Sequence, residues 1–120
     1  MEFILQIYSD EKRWQAQTNE EAQQMHGAYT AYSKALVDSG AMVGGNRLEP
    51  AATATTVRVT SDGKTEVLDG PFADTKEQLA GYYLIDVPDL DAAISWAARC
   101  PGASYGTIEV RPIAEVPAAV

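Results

Sequence analysis

Cysteine and histidine occur once each in this 120-residue chain, as Cys100 and His26. A lone cysteine excludes an intrachain disulfide, and one residue of each type supplies no ligand set with metal-site spacing, so no metal is expected. Cationic side chains are also scarce, with nine Lys and Arg against seventeen Asp and Glu for a net charge of −8. That field repels phosphate backbones and anionic lipid, which argues against nucleic acid or a membrane as partner. No apolar run approaches the roughly 20 residues of a spanning helix. Met1-Glu2-Phe3 shows no basic leader or cleavage site, and with the single cysteine this predicts a cytoplasmic protein. Gly44-Gly45 lacks the strand-loop-helix setting and the further Gly and Lys of a phosphate loop, so no nucleotide or other cofactor is expected. The remaining composition is ordinary, 46% hydrophobic and 22% charged, as in one folded domain. We place that domain at 1–114, with a frayed tail at 115–120.

The apolar, β-rich Phe3-Ile4-Leu5-Gln6-Ile7-Tyr8 predicts a central strand, followed by a polar loop with Ser9, Asp10 and Lys12. Thr18 and Glu21 have capping-box spacing, and Ala22, Met25, Tyr29, Tyr32 and Leu36 then recur at helical intervals until Gly40. A short kinked strand is expected around Met42–Gly45. Thr55–Thr60 and Thr65–Asp69, joined through Asp62-Gly63, read as a hairpin. Leu79–Val87 is a further strand. A helix from Pro88-Asp89 carries Leu90, Ala93, Ala97 and Cys100 on one stripe, and Thr107–Ile113 is the last strand. This order predicts an α+β protein with a ferredoxin-like, split β-α-β antiparallel sheet carrying two helices on one face. The other face is left partly apolar, and a second copy of the same face covers it most simply, so a homodimer is expected.

The stretch Asp69-Gly70-Pro71-Phe72-Ala73-Asp74-Thr75-Lys76-Glu77, continuing to Ile85, resembles the signature of DGPF-domain proteins, a branch of the YCII-related family. Val43-Gly44-Gly45, Ala54–Arg58, Trp96–Arg99 and Ile108–Pro112 follow in family order, so the resemblance spans nearly the whole chain. It implies pairing as a dimeric α+β barrel, with a cleft beside the inter-subunit sheet. Some relatives are encoded beside extracytoplasmic-function sigma factors, which implies a regulatory setting. The His and Asp pair on which enzymatic activity in YCII relatives is inferred is absent. The matching positions hold Tyr29 and Cys100-Pro101.

Two readings stay open. In the first, a small molecule binds in the cleft between sheet and first helix, with or without turnover. His26 and Asp69 are then the candidate acid-base groups, since His26 titrates near neutrality and a carboxylate at a cleft mouth can exchange protons. Tyr29, Tyr32, Arg58, Phe72 and Tyr83 are the candidate substrate-binding residues: aromatic rings for walls, a guanidinium for a carboxylate. Each has a plainer role as well, Tyr29 and Tyr32 in the core, Asp69 in fixing a turn, Arg58 on a solvated face. Cys100 is read as packing. In the second reading the protein is a non-enzymatic regulatory or interaction dimer, associated with a sigma-factor system, whose acidic surface suits a basic protein.

Overall fold

The computed structural model describes residues 1–115. Strand β1 (Glu2–Ser9) shows strict alternation: Phe3, Leu5, Ile7 and Ser9 are buried, and Ile4, Gln6 and Tyr8 are half-buried on the opposite face. A period of two means that one face of this strand has been given to a core. The sheet built around it is antiparallel, in the order β2 (Met42–Arg47), β5 (Gln78–Asp86), β1, β6 (Thr107–Pro112). Its helix-side residues Phe3, Leu5, Ile7 and Ile85 pack with Tyr32 and Leu36 of α2 (Asn19–Asp38) and with Ala93 and Ala97 of α3 (Leu90–Arg99). Both long helices therefore cover the same face. With the hairpin of β3 (Thr55–Val59) and β4 (Thr65–Asp69) set aside, the order is β-α-β-β-α-β, the ferredoxin-like arrangement.

The helices begin where their caps predict. Thr18 Oγ1 accepts from Glu21 N–H, and Asp89 Oδ1 accepts from Ala92 N–H. Gly40, at φ +77°, ends α2 in the left-handed conformation that only glycine adopts freely. On α2 the apolar stripe deepens along the helix, from exposed Ala22 to buried Tyr32 and Leu36; on α3, Leu90 is exposed, while Ala93, Ala97 and Cys100 are buried.

Two local features, a helix after β1 and the placement of the hairpin, depart from the sequence reading, and the kink expected in β2 takes the form of a bulge. The polar loop after β1 contains a helix, α1 (Glu11–Gln15), capped by Asp10; five residues are too few to display a hydrophobic period. Strand β2 carries a bulge between Met42 and Gly44, and Gly45 lies so near β5 that a Cβ there would sit 2.8 Å from the Tyr82 carbonyl. The β3–β4 hairpin does not join the main sheet but forms a two-stranded sheet of its own. Of the tail expected at 115–120, positions 116–120 lie outside the described residues.

Candidate ligand groove

The residues singled out from sequence fall into separate places. Tyr29, Tyr32 and Tyr83 come together under the sheet. Tyr32 meets Tyr83 edge-on at 5.3 Å and Trp96 at 6.0 Å, and its hydroxyl donates to the Trp96 carbonyl at 2.7 Å. Tyr83 Oη shares a hydrogen bond with Ser33 Oγ at 2.8 Å. Burial raises the pKa of all three phenols, so they stay neutral at physiological pH. Cys100, buried and 4.0 Å from Tyr29 Oη, is likewise raised by burial. It is a packing thiol, not a thiolate nucleophile.

The other candidates lie elsewhere. His26 is exposed on α2, where its carbonyl accepts from Thr30 Oγ1. Arg58, Asp69 and Phe72 belong to the hairpin and the loop leaving it, and all three are exposed. Arg58 holds its guanidinium 4.9 Å over the Phe72 ring, whereas Asp69, opposite Thr55, points from the other face of the hairpin.

A concave region that none of these residues lines lies at the end of the sheet's uncovered face. It is an open groove of about 760 Å³ between Tyr8, Arg13, Lys76, Glu77, Tyr105 and Thr107. A second groove of about 580 Å³ shares its Asp10, Thr75 and Lys76 edge. Short-range bonds hold this geometry. Trp14 Nε1 donates to the buried Ser9 Oγ at 2.6 Å, tying α1 to the end of β1, and Trp14 meets Tyr105 edge-on at 5.9 Å. Arg13 lies 4.6 Å over the Tyr105 ring. Gln78 accepts from Glu11 N–H and donates to the Thr75 carbonyl, while Thr107 Oγ1 donates to Glu77 at 2.8 Å. These bonds attach the Gly70–Glu77 loop to α1 and β6.

Charge is unevenly placed here. Three of the nine cationic side chains, Lys12, Arg13 and Lys76, border the two grooves. None has an ion-pair partner within 4.0 Å among the described residues, although Asp10, Glu77 and Glu109 line the same surface. Such a groove can hold a polar organic molecule, with cations for a carboxylate and hydroxyls and carboxylates for its donors. No group of three or more His, Cys, Asp or Glu among the described residues is placed to hold a metal ion.

The YCII-related domain model matches residues 1–117. The chain belongs to the YCII-related family. It is also 40% identical over 116 residues to an uncharacterised protein of Rhizobium meliloti (strain 1021), covering 95% of this chain and 93% of that protein. In this YCII-related chain, sequence reasoning missed Arg13 and Tyr105 as groove residues because the loop that holds Arg13 was not read as a helix. Lys76 was visible within the Asp69–Ile85 signature, but nothing local separates a groove lysine from a solvated one. No helix is long and apolar enough to cross a membrane, among the described residues.

Proposed function

We propose that this YCII-related protein is a cytoplasmic homodimer that binds a small carboxylate-bearing metabolite in the groove between Tyr8, Arg13, Lys76 and Tyr105. The observation that carries this reading is the pair of unpaired cations, Arg13 and Lys76, at a groove with an aromatic wall. Ile4, Tyr82 and Leu84 stand half-buried on the open face of the sheet, with no layer of the described residues above them. Pairing two copies there buries these side chains and puts each groove beside the inter-subunit sheet. No catalytic role is assigned, because His26 and Asp69 lie apart from the groove and from each other. A second reading, a regulatory dimer engaging a basic sigma-factor-related protein, draws on the net charge of −8.

Thermal-shift titration with small carboxylic acids and lactones tests the first reading. A ligand at about 100 times its Kd stabilises by about 2.7 kcal/mol, worth about 10 °C in a chain of this size. The expected result is a shift for a carboxylate that Arg13→Ala and Lys76→Ala both reduce. A shift unchanged in both variants, or no shift across the series, refutes the groove assignment.

A further inference from the structure

The groove that Arg13 and Lys76 border also carries charge of the opposite sign, and the two signs are kept apart. Asp10, Glu77 and Glu109 line it together with those two cations. Glu109 is already paired, with Arg111 at 3.0 Å. Asp10 and Glu77, like Arg13 and Lys76, have no ion-pair partner within 4.0 Å among the described residues. Four unpaired charges, two of each sign, therefore line one groove without neutralising one another. In a chain of net charge −8 this balance is local.

Anchors on separate elements hold the charges where they are. Asp10 caps α1, its Oδ1 accepting from Lys12 N–H at 3.0 Å. Arg13, on the same helix, lies 4.6 Å over the Tyr105 ring. Glu77 Oε1 accepts from Thr107 Oγ1 of β6 at 2.8 Å. Each half-buried carboxylate thus engages one oxygen and has the other, Asp10 Oδ2 and Glu77 Oε2, without a donor among the described residues.

We propose that the ligand of this groove is an amino acid, its carboxylate held by Arg13 and Lys76, its ammonium by Asp10 and Glu77, and its side chain against the rings of Tyr8 and Tyr105. A plain carboxylate would meet like charge at Asp10 and Glu77, and a plain amine would meet it at Arg13 and Lys76. A molecule that carries both groups is opposed by neither pair and gains charge-assisted hydrogen bonds from both. Specificity then comes from repulsion of the singly charged analogues as much as from attraction of the ligand. The inference rests on the groove reading of the proposed function and names the ligand class.

Calorimetric titration of the full chain with the common L-amino acids, β-alanine and γ-aminobutyrate, each beside its des-amino carboxylic acid and its decarboxylated amine, tests this without a variant. The expected result is an amino acid bound at least about tenfold more tightly than either counterpart, which is about 1.4 kcal/mol. Glu77→Gln keeps an oxygen for Thr107 Oγ1, and Asp10→Asn still caps α1. Each should reduce the advantage of the amino acid to under about threefold and leave binding of the des-amino acid no weaker than before. A carboxylic acid or an amine that binds as tightly as its amino acid, or an advantage that survives both substitutions, overturns the amino-acid class. If carboxylic acids still bind and Arg13→Ala weakens them, the groove reading of the proposed function stands without it. No binding by any amino acid or carboxylic acid overturns both.

Discussion

Replacing Tyr32 by Phe removes one oxygen from the buried core. The Tyr32 ring is 5% exposed, and its hydroxyl donates to the Trp96 carbonyl at 2.7 Å. Trp96 is one of the last four residues of α3 (Leu90–Arg99), whose carbonyls have no N–H partner further along the helix. The Tyr32 hydroxyl therefore closes the end of one helix from the body of another. Tyr32→Phe keeps the ring and its edge contacts with Tyr83 and Trp96 but leaves that carbonyl unpaired, which costs about 1–3 kcal/mol. With an unfolding entropy of about 2.1 cal/mol/K per residue, each kcal/mol lowers Tm by about 4 °C, so a drop of about 4–12 °C is expected. Tyr29→Phe is the control. Its hydroxyl has only the weak Cys100 contact at 4.0 Å, and its loss should cost under about 0.5 kcal/mol. Thermal and urea unfolding followed by circular dichroism measure both. Equal stabilities for Tyr32→Phe and Tyr29→Phe would refute the inter-helix cap.

Asp89→Ala removes the side chain that accepts from Ala92 N–H and should lower stability by about 1 kcal/mol in urea, with Asp89→Asn close to the parent; a neutral alanine variant refutes the cap. Gly106→Ala should destabilise by about 1–3 kcal/mol or abolish soluble expression, since its Cβ would collide with the Tyr8 backbone carbonyl and neither strand end can yield; a parent-like Tm would show the turn to be plastic. Alkaline pH should unfold the protein: burial raises the pKa of Tyr29, Tyr32, Tyr83 and Cys100, so the folded state keeps protons that the unfolded chain releases. That stability is complete below the ordinary thiol and phenol values of about 8.5 and 10, and falls above them by up to about 1.4 kcal/mol per pH unit for each group. A urea midpoint that holds constant from pH 8 to about pH 11 would refute this linkage.

Local patterning made most of the architecture legible. The capping box at Thr18 and Glu21, the stop at Gly40, the Asp62-Gly63 turn and the alternation of β1 are each written within a few residues, and each appears where expected. The candidate site was less legible. Tyr29, Tyr32 and Tyr83 share one cluster, but their place beneath the sheet reflects the packing of α2 on β5, over 40 residues apart in sequence. The groove joins Tyr8, Arg13, Lys76 and Tyr105, four side chains from four segments, none marked by a motif of its own.

By itself the sequence determined the type and order of the longer elements, the acidic charge and the family, because periodicity, caps, turns and composition are local or additive properties. Only the tertiary structure decided that the hairpin stands outside the main sheet, that Arg58 and Asp69 project from opposite faces of it, and that Arg13 and Lys76 meet across a groove. Those outcomes depend on strand register and on which distant backbones hydrogen-bond, and a shift of one residue in register reverses the face to which every side chain of a strand points.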